Sequence, residues 1–139
     1  MKALTFLLDT NVLSELTRPL PNAGVLQALA RHESAWTISA PSLEELVYSC
    51  RRLPAGARQD WLLRWVEGLP DQLPVLPFDR AGAVWLGGER ARLARLGRPV
   101  PRTDGEIAAV AFSHRLTLVT HNTRDFTMFD DLAVVDWHG

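Results

Sequence analysis

Short β-rich runs alternate along this chain with longer segments whose apolar residues recur at helical spacing. A crossover between parallel strands needs a connection of about a dozen residues or more, so this alternation is typical of parallel sheets. Both faces of such a sheet are covered by helices. The pattern therefore predicts an α/β fold, a three-layer α/β/α sandwich around a mostly parallel five-stranded sheet, with strands at Thr5–Leu8, Ala35–Ser39, Val75–Phe78, Leu116–Thr120 and Leu132–Val135.

Caps and breakers mark where the helices begin and end. One helix is predicted from Arg80 to Leu96, because Gly97 and a proline follow it. Ser42 and Thr103 each stand three residues before a glutamate, the spacing of a capping box, so both are candidate N-caps. Asp9 is expected to cap a short helix that starts near Asn11.

The composition favours one soluble globular domain. At 139 residues, with 47% apolar and 22% charged residues, the chain is predicted to form a single domain over residues 1–139. No segment approaches the ~20 apolar residues of a membrane helix, and the run from Met1 to Asp9 lacks signal-peptide features. Cys50 has no partner for an internal disulfide. We therefore expect a cytoplasmic protein without a membrane partner.

Charge limits how this chain could meet nucleic acid. The net charge is −1, which argues against binding by overall positive charge, since that mode depends on neutralising many phosphates. A nucleic-acid site would have to be local.

Acidic side chains follow the predicted strands. In an open parallel sheet, ligands bind beyond the carboxyl ends of the strands. Each acid taken alone has a structural explanation, such as helix capping or a favourable place in a helix dipole. Their joint placement favours a functional site, with candidates at Asp9 after the first strand, Glu44 and Glu45 after the second, Asn122 and Asp125 after the fourth, and Asp104 at a helix start.

Several carboxylates at one sheet edge would repel each other unless a cation lay between them. Oxygen ligands favour a hard ion, and the sequence has no histidine pair at metal-ligand spacing and no cysteine cluster. The expected ion is Mg²⁺, with Mn²⁺ as a substitute, rather than zinc. Such an ion can activate water for attack on a phosphodiester.

Periodicity does not choose between Glu44 and Glu45. The apolar stripe of that helix is formed by Leu43, Leu46, Val47 and Cys50. Glu45 lies nearly opposite the stripe and Glu44 lies to one side.

Four segments in order along the chain carry a family resemblance: Leu7 to Glu15, Glu45-Leu46, Asp104 to Ala109, and Leu118 to Phe126. They resemble the successive motifs of PIN-domain ribonucleases, specifically VapC/FitB-type toxins of toxin–antitoxin systems. The resemblance implies that Asp9 and Asp104 are the principal Mg²⁺ ligands and that Glu45 is the third catalytic acid.

The same resemblance supplies the supporting residues. It implies that Thr10 and Asn11 support the site from the first motif, and that Thr120 and Asn122 do so from the last. Many members carry Asp where this chain has Asn122, so Asp125, three residues on, is the candidate substitute for a fourth acid.

Partners are also implied by the resemblance. The expected substrate is RNA, the expected inhibitor is a cognate antitoxin protein, and the expected assembly is a homodimer that meets operator DNA only through the antitoxin. Bulky residues around Trp61, Trp65 and Trp85 exceed what one small core needs, so some are candidates for an interface, while most are expected in the core.

Two enzyme classes and one binding function are the alternatives. A haloacid-dehalogenase-like phosphotransferase needs a second Asp two residues after Asp9, where this chain has Asn11. A Rossmann domain needs a glycine-rich turn after the first strand, which is absent here. The alternative of a catalytically weak PIN-like module that only binds RNA or an antitoxin stays open. Asn122, where many members carry Asp, would be the sign of lost catalysis.

Overall fold

A computed structural model describes residues 3–139. Met1 and Lys2, which begin the N-terminal segment weighed as a signal peptide, lie outside the described residues. The elements in chain order are β1 Phe6–Leu8, α1 Thr10–Leu13, a 3-10 turn Ser14–Thr17, α2 Ala23–Arg31, β2 Trp36–Ile38, α3 Ala40–Arg51, α4 Ala57–Gln72, α5 Arg80–Arg95, α6 Arg102–Ser113, β3 Thr117–Val119, a 3-10 turn Thr123–Asp125 and β4 Val134–Val135.

The sheet is parallel and has four strands in the order β2-β1-β3-β4. The alternation of strands and helices therefore predicted the class of fold correctly. Helices cover both faces. Leu7 and Leu118 pack on one side among residues of α5 and α6, whereas Leu8, Ile38 and Val119 pack on the other among residues of α1 to α4. This confirms the three-layer arrangement.

The predicted strand at Val75–Phe78 is wrong as a strand. It is reduced to one parallel bridge, in which the Leu76 N–H donates to the Ile38 carbonyl at 3.0 Å and the Ala40 N–H donates to the Leu76 carbonyl at 2.8 Å. Pro74 and Pro77 flank that bridge and have no N–H to donate. A proline cannot extend a ladder on its donor side, so the run stops after one pair.

Both predicted capping boxes are also wrong. Helix α3 is capped by Ser39, whose hydroxyl accepts from the Ser42 N–H at 3.1 Å, so Ser42 lies inside the first turn. Helix α6 begins after Pro101, whose carbonyl accepts from the Gly105 N–H at 3.0 Å, so Thr103 is already helical and does not cap. In contrast, Asp9 caps α1 through its side chain, as predicted, and Asn22 caps α2 in the same way.

Helix α4 shows how the bulky apolar residues divide. Leu62, Val66 and Leu69 are buried in the core, whereas Trp61 on the outer face is 46% exposed. Over residues 3–139, every helix is too short or too polar to cross a bilayer.

Candidate active site

The sheet ladder brings the ends of β1 and β3 together. Asp9 directly follows β1, and its backbone N–H donates to the carbonyl of Val119, the last residue of β3, at 2.8 Å. Thr120 is therefore the neighbour of Asp9 across the ladder. Both side chains are buried at the carboxyl edge of the sheet.

Two hydrogen bonds fix the Asp9 carboxylate. The Thr10 N–H donates to Oδ1 and the Thr120 hydroxyl donates to Oδ2, each at 2.8 Å. Burial raises the pKa of Asp9, these two hydrogen bonds lower it, and the charges of Glu45 and Asp125 raise it, with a net increase above its usual value. The two hydrogen bonds therefore hold the Asp9 carboxylate in place, although burial and the neighbouring charges disfavour its ionised form.

Glu45 joins this centre through Thr10. The Thr10 hydroxyl donates to Glu45 Oε1 at 2.6 Å, across 35 residues of sequence. Glu45 is half-buried, whereas Glu44 is exposed. The geometry thus answers the question that helical periodicity left open, because Glu45, and not Glu44, is bonded to the residue beside Asp9.

Asp104 reaches the same centre from the first turn of α6. Burial, followed by the charges of Asp9, Asp125 and Glu45, raises the pKa of Asp104 to about 6. Within residues 3–139 its carboxylate accepts no hydrogen bond and forms no ion pair. Nothing in that part of the chain neutralises it.

Asp125 is the fourth acid of the cluster. It closes the 3-10 turn after β3, and its charge raises the pKa of both Asp9 and Asp104. Asn122 is exposed, and it supports the loop through its backbone N–H, which donates to the Thr120 hydroxyl at 3.0 Å. Asn11 accepts from the His121 N–H at 3.5 Å, a long contact. Residues 121–125 line an open hollow of about 300 Å³.

The side chains at this centre fit a hard divalent ion. Four carboxylates and the hydroxyls of two threonines offer oxygen atoms. Asp9 and Asp104 have raised pKa values, and a bound cation would favour the ionised form of both. Among the described residues, the carboxylates do not form a compact three-ligand cage with all atoms within 4.8 Å. Mg²⁺ does not require one, because it is usually held by one or two carboxylates and keeps several waters.

Sequence reasoning did not foresee the double role of Thr120. Its hydroxyl donates to Asp9 and accepts from the Asn122 N–H, so one buried side chain joins the acid to the loop. The signal was available, since a threonine that directly follows a strand at the carboxyl edge lies where ligands bind.

A comparison with protein families identifies the family of this chain. The sequence model of the PIN domain family matches residues 6–133. The chain belongs to the PIN domain family. Relatives named VapC and FitB match over nearly the whole chain.

Two relatives and one solved structure illustrate the range. The tRNA(fMet)-specific endonuclease VapC of Shigella flexneri is 37% identical over 134 residues, which cover 96% of this chain and 98% of the relative. Toxin FitB of Neisseria gonorrhoeae is 34% identical over 139 residues, covering 95% and 98%. The crystal structure of DNA-bound VapBC from Salmonella typhimurium matches with a TM-score of 0.82 at 33% identity, covering 96% and 98%. The PIN fold of this chain is therefore shared with proteins named as nucleases and toxins.

Proposed function

We propose that this PIN domain is a Mg²⁺-dependent endoribonuclease and the toxin of a toxin–antitoxin pair. The observation that carries the proposal is the convergence of Asp9, Glu45, Asp104 and Asp125 at one edge of the sheet, where burial and the charges of neighbouring acids raise the pKa of Asp9 and Asp104. The names of the Shigella and Neisseria relatives, an endonuclease specific for a tRNA and a toxin, support the substrate class and the toxin role.

Asp9 and Asp104 are the proposed ligands of Mg²⁺, for which Mn²⁺ would substitute. When bound, such an ion activates water and stabilises charge on the leaving oxygen of a phosphodiester. Asp9 is oriented for this by donors on both of its oxygens. Asp104 has no competing protein donor in the described chain, so its carboxylate is available as a ligand.

Glu45 is the proposed third catalytic acid. The Thr10 hydroxyl occupies Oε1, and no described residue donates to Oε2, which is therefore available to accept a hydrogen bond from a water in the site. Thr10 and Thr120 act as positioning residues, because each donates to an acid and neither carries the charge. Asp125 would supply the fourth carboxylate, while Asn122 and Asn11 support the loop.

The proposed partners follow from the relatives. RNA is the substrate, and tRNA is the first RNA to try, since the Shigella relative is named for a tRNA. A cognate antitoxin is the proposed inhibitor. The related VapBC complex is solved with DNA, and we assign operator binding here to the antitoxin because the toxin chain itself has a net charge of −1.

The test is cleavage of initiator tRNA and of an unstructured RNA by the purified chain. Cleavage should require Mg²⁺ and stop with EDTA. Loss of groups that merely orient a metal ligand costs about 10–100-fold, so Asp9→Asn and Asp104→Asn should each cost about 100-fold or more in kcat/KM.

Glu44 provides a matched control for Glu45. The substitutions Glu45→Gln and Glu44→Gln remove the same charge one residue apart on α3. We expect Glu45→Gln to lower cleavage by about 100-fold, as loss of a general acid or base does, and Glu44→Gln to leave it unchanged.

A folded chain that binds RNA without cleaving it under any metal condition would favour the binding-module alternative. Equal activity of Asp9→Asn and wild type would instead remove these acids from the mechanism. The toxin role has a separate test, since the product of a short neighbouring gene, co-expressed with this chain, should co-purify with it and suppress cleavage.

A further inference from the structure

A second group of metal-ligating side chains joins the loop after β3 to the segment after β4. His121 follows Thr120 at the end of β3, and Asp136 and His138 follow β4. The Nδ1 atom of His121 lies 3.1 Å from Asp136 Oδ2, and the Nδ1 atom of His138 lies 3.2 Å from Asp136 Oδ1. Within residues 3–139 this is the one set of three such residues whose ligand atoms all lie within 4.8 Å of one another.

We propose that His121, Asp136 and His138 bind a divalent transition ion, best matched by Zn²⁺, at a site separate from the carboxylate cluster. Two imidazole nitrogens and a carboxylate are a common ligand set for zinc, with water in the fourth position. Bond lengths of about 2.0–2.1 Å at a tetrahedral angle place neighbouring ligand atoms roughly 3.3 Å apart. The two nitrogen–oxygen distances, one to each carboxylate oxygen of Asp136, are close to that spacing.

The histidine rings are already arranged side by side. Their centroids lie 3.9 Å apart with an interplanar angle of 26°, and both present Nδ1 to the same carboxylate. Two histidines that each merely needed a hydrogen bond could find water or a backbone carbonyl instead. Convergence on one carboxylate favours a shared ion.

A buried carboxylate lies close to the other ring nitrogen of His138, at a distance longer than a hydrogen bond. The Nε2 atom lies 3.8 Å from Oε2 of Glu15, which is buried and is fixed by Arg18 and by the Asn22 N–H. Metal-bound histidines usually direct their second nitrogen toward a carboxylate, a carbonyl or a water, which orients the ring and raises its basicity. Glu15 is a buried acid of the first 3-10 turn that is already paired with Arg18.

The chain segment that carries His138 is anchored. The Gly139 N–H donates to Asn22 Oδ1 at 3.1 Å, and Asn22 Nδ2 donates to the Gly139 carbonyl at 3.2 Å. Trp137 stacks on His32 with 5.4 Å between the ring centroids. Because this segment is held in the apo chain, an ion would bind without ordering it first.

An ion at this site would link two separate parts of the chain. It would tie the β3 loop, which carries Asn122 and Asp125, to the segment after β4. Zinc bound at this site is therefore expected to order the loop beside the acid cluster and to stabilise the fold by mass action.

The test is Zn²⁺ binding by isothermal titration calorimetry, on chain produced without a polyhistidine tag and in a large excess of Mg²⁺ that saturates the acid cluster. Wild type and Asp9→Asn should each bind one zinc per chain. His121→Gln and His138→Gln should each weaken binding at least tenfold. His114→Gln, which removes a histidine bonded to Val110 and Ser113 instead, should bind like wild type.

Replacement of Zn²⁺ by Co²⁺ in the wild type gives a readout that needs no variant. An intense visible absorption typical of four-coordinate cobalt is expected, and a weak six-coordinate spectrum would overturn the proposal. Unchanged zinc affinity in folded His121→Gln and His138→Gln, loss of binding in Asp9→Asn, or one zinc per two chains would each overturn it as well. Loss of RNA cleavage alone bears on the acid cluster and leaves this site standing.

Discussion

The fold holds acidic side chains of the cluster close together and partly buried, where ionised carboxylates are less stable than in water. Asp9 and Asp104 are ionisable groups whose burial and mutual repulsion favour the protonated form. The Thr10 N–H and the Thr120 hydroxyl offset part of this cost by donating to Asp9. A site of this kind is expected to trade stability for the ability to hold a cation.

The pH dependence of the free energy of unfolding should reveal the raised pKa of Asp104. The pKa of Asp104 is raised from 3.8 to about 6 in the folded state, so the folded protein holds this proton more tightly than the unfolded chain. The stability from that proton is complete below about pH 4 and is lost as the pH rises through about 6. In EDTA, urea unfolding should show Asp104→Asn gaining stability over wild type from pH 4 to pH 7. Parallel pH curves for the two proteins would contradict the raised pKa.

Thr120→Val should separate positioning from packing. Valine keeps the shape but loses the hydroxyl that donates to Asp9, which should cost about 1–3 kcal/mol of stability and lower cleavage by about 10-fold or more. Thr37→Val is the control, because Thr37 is also fully buried but donates to the Pro74 carbonyl at 3.0 Å. Urea unfolding should show a loss of stability in both variants, whereas only Thr120→Val should slow cleavage. An equal effect on cleavage would mean that packing explains the loss.

At the scale of helices and strands, local sequence patterns predicted that most elements exist, but they predicted the first and last residues of those elements less well. Helix α5 begins and ends within one residue of its predicted bounds, because a capping aspartate and a following glycine are local signals. The two capping boxes failed because other residues, Ser39 and Pro101, already began those helices. The run at Val75–Phe78 has strand composition, but its prolines allow one bridge only.

Two glycines in helices should respond oppositely to alanine. In α2, a Cβ on Gly24 would lie 2.7 Å from the Trp137 carbonyl oxygen and 2.8 Å from the Gly139 nitrogen, so Gly24→Ala should destabilise the protein by about 1 kcal/mol or more. In α5, a Cβ on Gly88 meets nothing within 4 Å, so Gly88→Ala should stabilise by about 0.5–1 kcal/mol through helix propensity. Thermal unfolding of both variants is the measurement. A stabilised Gly24→Ala would show that the segment after β4 does not pack on α2.

At the scale of the whole molecule, the surface leaves apolar side chains exposed. Trp61 is 46% exposed, Val84 73% and Leu20 89%. Aromatic residues on a surface are enriched at protein interfaces. This is consistent with the homodimer and the antitoxin complex implied by the family resemblance, both of which remain predictions.

Light scattering at micromolar concentration tests the assembly. We expect a mass near twice the 15.5 kDa of one chain, because burial of exposed apolar surface favours association. The mass should not fall in EDTA if the dimer is independent of metal. A mass of one chain at all concentrations would rule out the stable homodimer.

The sequence by itself determined the alternation of strands and helices, the position of acids at strand ends, and the family resemblance. These depend on residues close together in the chain, where helical and strand periods act. Tertiary structure alone decided that Glu45 faces Thr10, that the charge of Asp125 acts on Asp9 and Asp104, and that His121 meets Asp136 and His138. Such choices depend on strand order and register, which bring together side chains as far apart as Asp9 and Thr120, 111 residues distant in sequence. No local period encodes a contact over that separation.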